Sequence, residues 1–165
     1  MNKFFLSIIA ILSIVIISGS YLLLRTKTPS AASITKYSTN DAQKPKVEID
    51  KKFYDLKSIK VSDTASAKFS IKNTGTKALQ LFDISSSCGC TVGQIIYKGQ
   101  ESAEYGMHSV GSFATPIEPG TEATVKVIYR PFVMPVYGAV QREVYISTND
   151  PENPKLVLQV KAQVK

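Results

Sequence analysis

Ala67-Lys68-Phe69-Ser70-Ile71-Lys72-Asn73-Thr74-Gly75-Thr76 is the stretch from which the fold is read. Ala67, Phe69 and Ile71 alternate with Lys68, Ser70 and Lys72, so an extended backbone sends the apolar set to one face and the polar set to the other. Asn73-Thr74-Gly75-Thr76 then breaks the strand with a turn, at which the glycine can take a positive φ. The same rhythm runs outward in both directions. Val47-Glu48-Ile49-Asp50 and Phe53-Tyr54-Asp55-Leu56 precede it, and Leu79 to Ile84 follows it. Ala123 to Tyr129 is entered through the turn Glu118-Pro119-Gly120, and Gln141 to Ser147 sets Arg142, Val144 and Ile146 against Glu143 and Tyr145. After the break Asn149-Asp150-Pro151-Glu152-Asn153-Pro154, the run Leu156 to Val164 places Leu156, Leu158 and Val160 on one face. No segment after residue 46 sustains a helical apolar period. About seven short strands predict a two-layer antiparallel β-sandwich, because each sheet can hide its apolar face only against the other.

The rest of the chain is organised differently. Phe4 to Leu24 is an uncharged run of 21 residues, about 31 Å long as a helix and matched to a hydrocarbon core of about 30 Å. Residues 1–25 are therefore expected to form one N-terminal transmembrane signal-anchor. The competing reading is a cleaved signal peptide, for which Ser18-Gly19-Ser20 supplies small residues. Lys3 on one side and Arg25, Lys27 and Lys36 on the other nearly balance, so the charges do not set the orientation. The short tail and signal-like start favour a C-terminal domain outside the cytoplasm, in the periplasm or at the cell surface. Residues 26–46, rich in Ser, Thr, Lys, Ala and Pro, are expected to be a flexible linker, and residues 47–165 the domain.

The formal charge of +7 is uneven. Residues 1–45 hold five basic residues and one acidic, and residues 46–165 hold 15 and 12. The domain has no dense basic run and no basic stripe interleaved with aromatics, so nucleic acid is excluded as an expected partner.

Ser86-Ser87-Cys88-Gly89-Cys90-Thr91 carries a recognisable signature. With Asn73-Thr74-Gly75, Leu79 to Ile84, Pro116-Ile117-Glu118-Pro119-Gly120, Val125 to Tyr129, Gly138 and Ser147-Thr148-Asn149-Asp150, it resembles the bacterial domain-of-unknown-function family 1573 over roughly residues 50–164. The resemblance implies an immunoglobulin-like sandwich, similar to the ASH and PapD-like modules of centrosomal, flagellar and pilus-chaperone proteins. It also implies export or surface anchoring, and no established biochemical activity. Residues 98–116, KGQESAEYGMHSVGSFATP, depart from the family pattern as a long connection without a strand period, and long loops are often functional.

Cys88 and Cys90 are the residues in which chemistry is expected, if there is any. Residues i and i+2 of a strand share a face about 6.5 Å apart, near the upper limit for a disulfide. Three readings stay open: small buried side chains at a strand start, a redox or disulfide pair, and a soft-metal site for Cu(I), to which Met107, His108 and Met134 are weak additions. Zinc would want more ligands. An oxidising compartment favours the oxidised pair, and a thioredoxin-type site would need Cys-x-x-Cys. His108 is the only histidine and no nucleophile elbow accompanies it, so no catalytic residues are assigned. No cofactor is called for. The expected function is a non-enzymatic binding, scaffold or envelope-assembly module, attached to the membrane and meeting a protein partner, with free strand edges available for strand addition. The alternative is a thiol-redox or copper-handling domain working through Cys88-Gly89-Cys90.

Overall fold

The computed structural model describes residues 12, 33–109 and 115–165. The expected signal-anchor, residues 1–25, lies outside the described residues except for Leu12, as do residues 26–32 of the expected linker. Among the described residues no helix is long and apolar enough to cross a membrane. The chain divides into the units Met1–Ala31 and Ala32–Lys165, and the domain described below lies in the second.

Among the described residues ten strands form two five-stranded sheets. The first sheet contains β1 (Val47–Ile49), β3 (Ala65–Asn73), β8 (Glu122–Tyr129), β5 (Thr91–Tyr97) and β6 (Gln100–Glu101), in that order across it. The second contains β2 (Phe53–Ile59), β10 (Lys155–Val164), β9 (Gly138–Thr148), β4 (Leu79–Ser86) and β7 (Thr115–Ile117). The all-β sandwich is as expected, and two of its details are not.

The strand count rises from about seven to ten because β5, β6 and β7 have no readable alternation. In β5 the inward positions are Thr91, Gly93 and Ile95, and two small residues erase the apolar signal. Gly93 is small because a Cβ there would sit 2.8 Å from Val144 Cγ1 and 3.1 Å from Ile84 Cγ2. Secondly, β2 pairs with β10 in parallel, so the sandwich is not wholly antiparallel. After β1 pairs with β3, the chain crosses to the other sheet through Asp50-Lys51-Lys52. It then continues as β2 beside the last strand.

The core follows the alternation. Ala67, Phe69 and Ile71 of β3 and Val125 and Val127 of β8 face Leu79, Leu81, Val144, Ile146, Leu156, Leu158 and Val160 of the second sheet, all of them buried. At about 1.5–3 kcal/mol for each fully buried large side chain, these rows are the main term opposing chain entropy.

One end of the sandwich is closed by polar side chains. Asn73 is fully buried; its Nδ2 donates to the carbonyls of Lys77 at 2.8 Å and Ile117 at 2.9 Å, and its Oδ1 accepts from Gly75 N at 3.0 Å. Gln80 N donates to Asn149 Oδ1 at 2.8 Å, and Val47 N to the buried carboxylate of Asp150 at 2.9 Å. The Asn-Thr-Gly and Ser-Thr-Asn-Asp motifs thus hold the turns of one end of the fold.

The second half of the expected linker lies against that end. Gln80 Oε1 accepts from Thr35 N at 2.8 Å, Thr76 N donates to the Lys44 carbonyl at 3.0 Å, Thr74 N donates to the Lys46 carbonyl at 2.8 Å, and Lys44 pairs with Glu152 at 2.7 Å. Gly75 makes this possible by its missing side chain. A Cβ there would come within 2.4 Å of both the Lys44 carbonyl oxygen and Lys46 N. It is not among the positive-φ glycines, Gly99, Gly120 and Gly138, so close approach and not turn conformation dictates it. Gly75→Ala is expected to destabilise the fold by about 1–3 kcal/mol, with faster amide exchange at Thr74 and Thr76. Denaturant unfolding and hydrogen exchange measure the two effects.

Candidate functional site

The opposite end of the sandwich carries the cysteines. β4 and β5 are joined by Ser87-Cys88-Gly89-Cys90, and Cys88 and Cys90 are bonded as a disulfide with Cα atoms 5.3 Å apart. A turn, and not a regular strand, brings the two Cα atoms closer than the extended spacing would. The Thr91 amide closes it by donating to the Cys88 carbonyl at 3.3 Å, and Ser86 Oγ donates to the same oxygen at 2.8 Å. The Arg130 amide donates to the Cys90 carbonyl at 2.8 Å, tying the turn to the end of β8.

Both sulfurs face inward while the tip faces out. Cys88 and Cys90 pack with Tyr129, Val140, Ala162 and Val164 in a small cluster apart from the main core, with Leu56, Ile59 and Val61 at its margin. Ser87 and Gly89 are exposed. The polar surroundings of the two sulfurs differ. Thr91 Oγ1 lies 3.4 Å from Cys88 Sγ and 3.8 Å from Cys90 Sγ. Arg142 Nε donates to Cys90 Sγ at 3.3 Å, its Nη1 donates to the Gln141 carbonyl at 2.9 Å, and its guanidinium lies over the Tyr129 ring at 5.8 Å. The Tyr129 hydroxyl is buried and has no hydrogen-bond partner among the described residues.

The stretch 98–116 approaches the same end. Gly93 and Tyr105 exchange both backbone hydrogen bonds at 2.8 Å. A Cβ on Gly106 would lie 3.6 Å from the Thr91 carbonyl oxygen and 3.9 Å from Ser86 Oγ. The expected irregular loop is therefore pinned in part: β6 lies within it, and Thr115 opens β7; residues 110–114 lie outside the described residues. Met107 and His108 are exposed in the turn that follows Gly106, and Met134 is exposed in the segment after β8. Among the described residues no group of three His, Cys, Asp or Glu side chains could hold a metal ion. A disulfide also offers no thiolate to Cu(I).

Glu104 forms a bidentate pair with Arg130 at 2.7 and 2.8 Å, and Glu101 accepts from Gln94 Nε2 at 3.1 Å. Hydrogen bonding to Arg130 holds the Glu104 carboxyl below its ordinary value of 4.5, against a smaller opposing effect of burial.

Residues 131–137, Pro-Phe-Val-Met-Pro-Val-Tyr, do not stand out as a segment from sequence, where Met134 alone is considered. A short 3₁₀ turn, Pro131–Val133, begins the segment. Phe132, Val133, Met134, Val136 and Tyr137 are each 43–68% exposed. Isolated exposed apolar residues are ordinary, whereas five within six positions form a patch of the kind that marks an interaction surface. The signal was available: an apolar run holding Pro131 and Pro135 cannot be a central strand.

By fold and site the domain is a two-sheet immunoglobulin-like sandwich with a disulfide-bonded turn at one end. Residues 47–107 match the family described as Protein of unknown function (DUF1573), so the family resemblance is shown across β1 to β6. The motifs from Pro116 onward lie beyond the matched residues. No curated protein sequence matches the chain. Among solved structures, a protein of unknown function from Porphyromonas gingivalis W83 is 21% identical, with a TM-score of 0.57 over 74% of this chain and 48% of that one. The chain thus spans about half the length of that neighbour. The ASH/PapD-like domain 7 of human CEP192 is 17% identical, with a TM-score of 0.50 over 84% of this chain and 97% of that domain. A family 123 glycoside hydrolase from Clostridium perfringens is 8% identical, with a TM-score of 0.52 over 73% of this chain and 27% of that enzyme. At these identities the likeness is one of fold.

Two outcomes follow from this geometry. Closing a ring of sequence separation two removes little unfolded-state entropy, about 1.6 kcal/mol against about 3 for a fifteen-residue loop. Replacing both Cys88 and Cys90 by Ala should therefore leave a folded domain, weakened by about 1–3 kcal/mol in a denaturant titration. The depressed Glu104 favours folding above its ordinary value, and this contribution fades as pH falls through the lower folded value. Glu104→Gln should remove that acid-side dependence, change stability by no more than about 1 kcal/mol, and speed exchange of the Gly93 and Tyr105 amides.

Proposed function

We propose that the chain is a non-enzymatic binding or scaffold module of the cell envelope, held at the membrane through the apolar run Phe4 to Leu24 and bound to a protein partner through residues 131–137. The observation that carries this reading is the exposed apolar segment Phe132 to Tyr137. A soluble surface rarely keeps such a run unless something covers it. The likeness to an ASH/PapD-like domain supports a binding module at the level of fold.

Strand addition is the weaker mode of partnership. The edge strand β7 spans only Thr115–Ile117 and contains Pro116, β6 spans Gln100–Glu101, and the edge strand β2 has Lys57 at φ 63° beside a break in its register with β10. Short strands, proline and bulged lysines are the devices that protect a sheet edge from pairing.

A photo-crosslinking residue at position 136, in the full chain expressed in its native envelope, tests the proposal. The expected result is a discrete adduct in the membrane fraction, lost when Phe132, Val133 and Tyr137 are changed together to Ser in a chain that still folds. Recovery of monomer alone, or an adduct indifferent to those changes, overturns the reading.

A further inference from the structure

We infer that the Cys88–Cys90 bond is an exchangeable disulfide that takes a thiol as its reaction partner, with Cys88 as the sulfur attacked and Cys90 as the leaving thiolate, received by Arg142. This goes beyond the binding role and stands on different residues.

The placement of the bond argues against a staple. It joins residues two apart in one turn, crosses neither sheet nor core, and packs outside the main cluster. Neither cysteine belongs to a strand, so the bond takes the place of no strand pairing. The surroundings then separate the two sulfurs. Only Cys90 Sγ receives the Arg142 Nε–H, at 3.3 Å, from a guanidinium fixed by the Gln141 carbonyl and the Tyr129 ring. A cation beside a sulfur stabilises its thiolate and lowers the thiol pKa, and a disulfide opens faster when the departing thiol has the lower pKa. Cys88 is the more accessible of the two, 7% against 2% exposed, and its neighbours Ser87 and Gly89 are both exposed. Gly89 has no heavy atom within 4 Å of where a Cβ would lie, apart from its chain neighbours, so the outer side of the turn is uncovered, and a local opening of the turn would present the inward-facing Cys88 Sγ to an incoming thiolate. Tyr129, whose buried hydroxyl has no hydrogen-bond partner among the described residues, belongs to the same cluster as the two cysteines.

The step balances without a further reagent. The incoming thiolate sulfur bonds to Cys88 Sγ, the Sγ–Sγ bond breaks, and its electron pair departs on Cys90 Sγ beside Arg142. A second thiolate attacking the first thiol's sulfur releases Cys88 as thiolate. Two thiols are thereby oxidised to one disulfide, and the Cys88–Cys90 pair is reduced by two electrons.

Glutathione serves as the probe, with the full chain in detergent. After brief exposure and trapping with iodoacetamide, mass spectrometry should find glutathione on Cys88 and the alkyl group on Cys90, exceeding the reverse isomer by about tenfold. Arg142→Gln should slow opening by roughly three- to tenfold and erode that preference, while Arg142→Lys keeps most of both. Circular dichroism establishes that the variants fold. The isomer ratio in the unsubstituted chain stands as a test even if they do not. No opening of the folded chain under conditions that open the unfolded one, equal labelling of the two sulfurs, or an opening rate indifferent to Arg142→Gln would each overturn the assignment.

Discussion

Each sheet of this domain has one apolar face, and neither is stable without the other. Phe69 and Ile71 of β3 are covered only because Leu81, Val144 and Leu158 lie opposite. That mutual burial fixes the register of every long strand, since a slip of one residue would turn a whole row outward. With the interior committed to packing, the two ends and the edges are the places left for function. They have been used differently. One end is closed by Asn73, Asn149 and Asp150 and by the incoming chain, while the other carries the disulfide turn and an uncovered apolar segment.

Strands whose inward residues are large could be read directly: β3, β8, β9 and β10 follow their alternation closely, whereas β4 bulges at Asp83 (φ 46°) so that Ile84 joins Leu79 and Leu81 in the core. β5 could not, because its inward Gly93 is dictated by Val144 and Ile84 on the facing sheet, a cause that no local pattern contains. The parallel pairing of β2 with β10 joins segments about a hundred residues apart and leaves no trace in period. Gly75 was legible as a turn residue, but for a different reason from the one that holds it. Its neighbours are the backbones of Lys44 and Lys46, some thirty residues earlier.

The candidate site shows the same division. Cys88 and Cys90 stand out in sequence through spacing alone. Their asymmetry does not, because Arg142 arrives from a strand 52 residues later in the chain than Cys90. The apolar segment 131–137 was written plainly in sequence, and its significance rests on exposure, which depends on what the two sheets leave uncovered. Asn73, within the residues that match the family, and Asp150, beyond them, both organise turns.

The parallel pairing of β2 with β10 has a mechanical consequence. Phe53 begins β2 beside Gln159, and Val164 ends β10 beside Ile59, so the chain enters and leaves this pair at its opposite ends. Tension applied through the two ends of the domain therefore runs along the strands. It loads their hydrogen bonds together in shear and does not peel them apart one at a time.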